Sequence, residues 1–339
     1  MKIQLILTVL FSLCLFGIAD VAAQDDKALP KGRLLYTDGS HDDVFVIKYK
    51  AGVVTYRTDM RSLNILQAKK PKLESVYFYE PKVFSEAMGL YRAKNYGEAK
   101  SKFAECELEY KPFDTIANNY ATLAGFYKLE CSRRSNDLEA LSADLEKYRK
   151  DGLTRDSHFQ QIEVYALWEA VRLKEWARLD RLALSWTERK VPSELRVQIE
   201  YCHALALDEL AKEDPSRFED LIDAYNRVLT ADATASIDLV LKAANSLLRI
   251  YANDADVKFV MENWDPSADR ASLPGDQKLM QAVSLMRYYR QVGFDDIEPL
   301  SAEYEKLFKY VPEETINVAK DEASSDEAAV ESNDQVKDE

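Results

Sequence analysis

The chain holds 339 residues, 47% of them hydrophobic and 31% charged, with a formal net charge of −14. That length carries two or three structural units and a sizeable core. Ten glycines and ten prolines, about half the usual share, argue against a glycine-rich enzyme scaffold or a turn-rich all-β chain, and the acidic balance argues against a general nucleic-acid binder.

At the N-terminus Lys2 gives a minimal positive start. Residues 3–18 are almost wholly apolar but too short to span a bilayer comfortably, and Val21-Ala22-Ala23 offers small residues for cleavage. The pattern predicts a secretory signal peptide over residues 1–23, a mature start at Gln24 and an exported, periplasmic or extracellular protein. The alternative is an uncleaved anchor. Bulky Leu13 before Cys14 disfavours a lipoprotein, and no later apolar run is long enough for a stable membrane span. Cleavage would leave Cys106, Cys131 and Cys202, an odd count without close spacing. Three packed thiols are expected, with one pair left open for an oxidising compartment. His41, His158 and His203 lack the spacing of a metal site and are expected at the surface or in packing.

After a polar linker over residues 24–30, residues 31–80 carry the β signal. Arg33-Leu34-Leu35-Tyr36 runs into the turn pair Asp38-Gly39. Val44 to Tyr49, Val53 to Thr58, Leu63 to Leu66 and Val76 to Tyr79 follow, with Lys50-Ala51-Gly52 as a turn. These runs are β-branched and aromatic. Five short strands bury little as a flat sheet, so a closed small barrel is expected. The run resembles the SH3-like and Sm-like barrels, in which such a turn joins the first two strands; no ligand residues carry over. Lys69-Lys70-Pro71-Lys72 is a basic cluster between strands, read as a solvated loop ahead of an anion site.

Residues 81–312 read as helical, with prolines at the seams. An apolar quartet at offsets 0, 3, 7 and 10 recurs. Its copies are Tyr96/Ala99/Phe103/Cys106, Leu138/Leu141/Leu145/Tyr148, Trp176/Leu179/Ala183/Trp186, Phe218/Leu221/Tyr225/Val228 and Ile297/Leu300/Tyr304/Leu307, with a degraded copy at Val257/Val260/Trp264. The starts lie 42, 38, 42, 39 and 40 residues apart. Another helical segment precedes each quartet, such as Ile116/Tyr120/Leu123/Tyr127 or Leu239/Ala243/Ser246/Leu247/Ile250. The unit is a helix hairpin that must stack on neighbours to bury its stripe, and about six make an α-α superhelix. Trp176 is expected to wedge between the helices of its hairpin.

Residues 83–112 resemble a tetratricopeptide repeat. Ala87, Tyr91, Tyr96, Ala99 and Phe103 fall where that family places its small and aromatic packing residues, and Asn95-Tyr96-Gly97-Glu98-Ala99 matches its inter-helix corner. Later units keep the period and lose the motif. The resemblance implies a mostly α, TPR-like solenoid that acts as a protein-interaction scaffold.

Residues 313–339 hold ten acidic and two basic side chains, the composition of a disordered acidic tail. It reads as a solubilising segment, or else as a tether for a basic partner. No phosphate-cradling loop, Gly-x-Ser-x-Gly elbow or His-Glu-x-x-His is present. The Glu331-Ser332 pair, of the kind murein-cleaving helical proteins carry, falls in the tail. The sequence therefore assigns no catalytic, cofactor-binding or metal-ligating residue, and leaves the binding residues unknown. Tyrosines such as Tyr120, Tyr127, Tyr165, Tyr201 and Tyr288-Tyr289 are expected mainly in seams. The function expected is non-catalytic binding of a protein partner in the periplasm or cell envelope, with no cofactor. The alternative is capture of a carbohydrate or peptide on a concave face.

Overall fold

A computed structural model describes residues 29–231, 236–264 and 275–310. The signal peptide, its cleavage site, most of the linker and the acidic tail with Glu331-Ser332 lie outside the described residues. The chain divides into two compact units, Met1–Arg172 and Leu173–Glu339.

The first unit opens with five antiparallel strands. They are β1 (Lys31–Tyr36), β2 (His41–Lys50), β3 (Val53–Arg57), β4 (Leu66–Lys69) and β5 (Leu73–Phe78), ordered β4-β3-β2-β1-β5. Alternation sets the faces. Leu34, Val44, Val46, Val54 and Tyr56 point into the core while their neighbours are exposed or half-buried. Gly32 is required where β1 meets β5, because a Cβ there would lie 2.7 Å from the Tyr77 carbonyl oxygen. The expected closed barrel is corrected to an open, curled sheet. Only Lys70–Lys72 separates β4 from β5, yet these strands occupy opposite ends of the order and no ladder joins them. The short link makes the sheet curl, and the seam stays unpaired. The fourth strand also starts three residues later than expected, because Leu63 and Ile65 are exposed and Leu66 begins the pairing with Tyr56.

Five helices complete this unit: α1 (Lys82–Arg92), α2 (Tyr96–Tyr110), α3 (Tyr120–Arg134), α4 (Leu138–Leu145) and α5 (Asp156–Arg172). Sheet and helices share one core. Phe78 of β5 meets Tyr110 edge-on at 5.5 Å and Phe113 at 5.0 Å, while Phe103 stacks on Tyr127 at 5.4 Å. Asn119 begins α3 from a buried position. Its carbonyl oxygen accepts the Thr122 N–H at 2.8 Å, and its amide donates to the Ile116 carbonyl at 2.6 Å.

The second unit holds α6 (Trp176–Leu184), α7 (Ser193–Leu210), α8 (Phe218–Thr230), α9 (Ile237–Asn253), α10 (Ala255–Glu262), α11 (Asp276–Gln291) and the one-turn α12 (Ala302–Glu305). Here α9 packs against α7, α8, α10 and α11. No described helix is long and apolar enough to cross a membrane.

Four quartets open α2, α4, α6 and α8 at the first helical residue. Their corners also repeat. Lys94, Asn136 and Lys174 each take positive φ two residues before a quartet. At the first two corners the Asn95 N–H reaches the Leu90 carbonyl and the Asp137 N–H reaches the Ser132 carbonyl, closing the preceding helix with a Schellman turn. The molecule is thus mostly helical and compatible with helical repeats behind a five-stranded sheet. The copy starting at Ile297 is corrected. Pro299 falls inside it, and the segment becomes short turns with Ile297 exposed. Trp176 is half-buried, while Leu179, Ala183 and Trp186 below it are fully buried.

Candidate functional site

A concavity of about 820 Å³ lies in the second unit. It forms because α9 packs between α8 and α11, leaving a trough over its C-terminal half. Tyr251 of α9 and Leu285 of α11 are buried at its floor. One wall is a single stripe of α11, where Gln277, Gln281, Ser284 and Tyr288 recur at helical spacing beside Met280. Leu279, Ala282, Val283, Met286 and Tyr289, on the opposite side of that helix, fill the core. The other wall is the last turn of α8, with Asn226, Leu229 and Thr230. The Tyr251 hydroxyl donates to the Gln281 side-chain oxygen at 3.1 Å and fixes that amide. Among the described residues, none of the lining carries a formal charge, in a chain of net charge −14. The groove therefore offers amide and hydroxyl donors and acceptors, two tyrosine rings and an apolar floor. That chemistry suits a neutral, hydrogen-bonding occupant.

A second concavity of the same unit, about 520 Å³, is charged. His203 Nε2 lies 3.1 Å from an Asp180 oxygen, and Arg217 approaches the other oxygen at 3.3 Å. Burial keeps the imidazole below its usual pKa, opposed by Asp180 and assisted by Arg227. Arg227 itself donates to Glu200 at 3.0 Å. Ser216, which also lines this pocket, spends its hydroxyl on Asp214 at 2.6 Å, closing its own turn. These groups neutralise one another and bring no nucleophile onto the imidazole.

In the first unit the strongest charge cluster is buried in the helical core. Glu130 accepts two bonds from Arg133, at 2.9 and 2.7 Å, and one from the Tyr165 hydroxyl at 2.7 Å. Burial alone would raise the Glu130 carboxyl, but Arg133, Arg134 and Tyr165 outweigh it and hold it down at about 2. The cluster lines none of the cavities described here, and its geometry is that of a structural pin.

The residues singled out in the sequence are scattered. Cys106, Cys131 and Cys202 are buried free thiols, and burial pushes Cys106 and Cys131 up to about 12. His41 is exposed. His158 is buried and stacks on Phe126 at 4.3 Å. Among the described residues no group of His, Cys, Asp and Glu could hold a metal. Tyr165, Tyr201 and Tyr289 are buried, Tyr120 and Tyr127 are half-buried, and Tyr288 faces the groove. A second Glu-Ser pair, Glu74-Ser75, sits on β5. Of the residues named from sequence, Tyr288 alone lines the groove. Its one sequence signal is the charge-free stripe of α11, set in a chain where nearly a third of residues are charged. No family model matches the sequence, and comparison with curated proteins and with solved structures gave no match.

Proposed function

We propose that the protein is an exported, non-catalytic binding protein of the periplasm or cell envelope, which holds a partner protein through an extended segment seated in the neutral groove of its second unit. The observation that carries this reading is the charge-free groove itself, walled by amides and hydroxyls and floored by Tyr251 and Leu285. An extended peptide presents an amide every residue and small apolar side chains between, and both find counterparts there. The repeated corners and quartets support a TPR-like stack as the scaffold. The apolar residues 3–18 before Val21-Ala22-Ala23 support export.

Carbohydrate capture is the second reading. Two tyrosine rings beside Asn226, Gln277 and Gln281 also suit a sugar face and its hydroxyls. A photo-crosslinking residue at Met280 of the full chain, exposed to the native envelope fraction, tests both. A discrete cross-linked protein, absent when the probe replaces Phe259 and undiminished by envelope oligosaccharides, is expected. Competition by oligosaccharide selects the second reading, and no adduct from Met280 overturns both.

A further inference from the structure

We infer that the outer edge of β5 is a strand-addition site for an extended acidic segment of a partner protein. In the ladder with β1, the Tyr79 N–H donates to the Lys31 carbonyl. Antiparallel bonding alternates, so Tyr77 and Ser75 turn their backbone groups toward β1, while Val76 and Phe78 turn theirs away; the register shifts at Glu74, the extra residue between Leu73 and Ser75. No described strand pairs with that outer side. A cavity of about 400 Å³ runs along it, lined by residues 73–77 of β5 and by residues 115–118 opposite. No backbone hydrogen bond joins those two walls among the described residues. Val76 and Ile116 are buried in the floor, where an incoming strand can seat apolar side chains.

Charge selects the occupant. Lys48 and Lys50 end β2, Lys69 ends β4, and Lys70 and Lys72 form the turn into β5. Register places Lys50 and Lys69 on either side of Val53, so all five lysines gather at the end where β5 begins. Every one is exposed, and none makes an ion pair among the described residues. Lys70 lines the cavity, where Glu74 is the one carboxylate of the lining. Residues 31–80 carry a net charge of +3 within an acidic chain. A strand alternating carboxylates with β-branched residues gives the lysines their counter-charges, the floor its side chains, and Val76 and Phe78 their backbone partners.

The test uses the full chain and a fluorescein-labelled peptide, Glu-Val-Glu-Val-Glu-Val-Glu, read by anisotropy. Binding is expected, weakened at least tenfold by Lys70→Glu with Lys72→Glu. N-methylation of alternate peptide amides should abolish binding in one register and spare it in the other, as strand pairing requires. Amide exchange at Val76 and Phe78 should slow at least tenfold in the complex. No binding would mean that the lysines only guard an edge strand, and would overturn the inference. So would equal effects of the two N-methylation registers, or protection on α11 in place of β5. Lysine-dependent attachment to phosphatidylglycerol vesicles without peptide binding would assign the cluster to a lipid surface and overturn it equally.

Discussion

The Tyr165 hydroxyl donates to the Glu130 carboxylate over 2.7 Å, joining α5 to α3 across 35 residues of sequence. Arg133 closes the same carboxylate from its other side. Glu130→Ala leaves a buried guanidinium without its counter-ion and should cost about 3–5 kcal/mol. Tyr165→Phe removes one hydrogen bond to a charged group and should cost about 1–3 kcal/mol. Urea denaturation of both variants checks the order. Equal stability of Glu130→Ala and the parent would remove the pin.

Acid should act in two stages. His158 is kept below 6.5 by burial and then by Arg155, and His203 by burial with Arg227 against Asp180. Both bind protons more readily unfolded, so their contribution is intact above pH 6.5 and declines as pH falls through that value. Glu130 has a folded value of about 2 against 4.5 unfolded, so its contribution is intact above 4.5 and is lost toward 2. Melting temperatures from pH 8 to pH 3 should fall in both windows, and His158→Gln with His203→Gln should flatten the first.

Ser284→Lys places a charge on the exposed stripe of α11. As a surface change it should alter stability by no more than about 0.5 kcal/mol. Cross-linking from Met280 should nevertheless drop at least tenfold. A loss of stability equal to the loss of adduct would show that the residue is structural.

Cys106, Cys131 and Cys202 should resist thiol reagents in the folded protein and react once it is unfolded in guanidinium. Mass spectrometry of alkylated protein should find none of the three in a disulfide. Native labelling of any one would contradict its burial.

Lys94 holds positive φ at a helix corner, where a side chain costs about 1–2 kcal/mol relative to glycine in the left-handed region. Lys94→Gly should therefore raise the unfolding midpoint, and Asn136→Gly should do so less, since asparagine tolerates that region better.

Local physics was legible in the sequence. Strands β1 to β3 and β5 and the first residues of α2, α4, α6 and α8 follow from β-branched and aromatic runs and from the quartets, although β2 and β5 each begin three residues before the expected run. Errors arose where a local signal met a constraint from elsewhere. Leu63 looked like strand but has nothing to pair with, and Pro299 cut a periodic pattern that counting apolar residues did not weigh. Closure of the barrel depended on a ladder between β4 and β5 that no residue type announces. The groove was hidden because Asn226, Tyr251 and Gln281 come from three helices, and because Tyr251 and Leu285 look like ordinary core residues until the gap above them is seen. Glu130 and Tyr165 were equally silent, since a buried carboxylate is written with the same letter as a solvated one.

Gly32 stands opposite Phe78 in the ladder of β1 and β5, so the chain enters and leaves the sheet at the same corner. Tension carried into the sheet through the residues before Lys31 would then load that corner and peel the two strands apart one rung at a time. Adjacent antiparallel strands pulled from a shared end unzip and do not shear, which is the weak direction of a ladder. What resists first is the clasp at the corner. There the Tyr79 hydroxyl and the Arg33 guanidinium both donate to Asp43, at 2.7 and 2.8 Å. Peeling would thus begin from those three side chains, and it would reach the helices through Phe78, which packs on Tyr110 and Phe113.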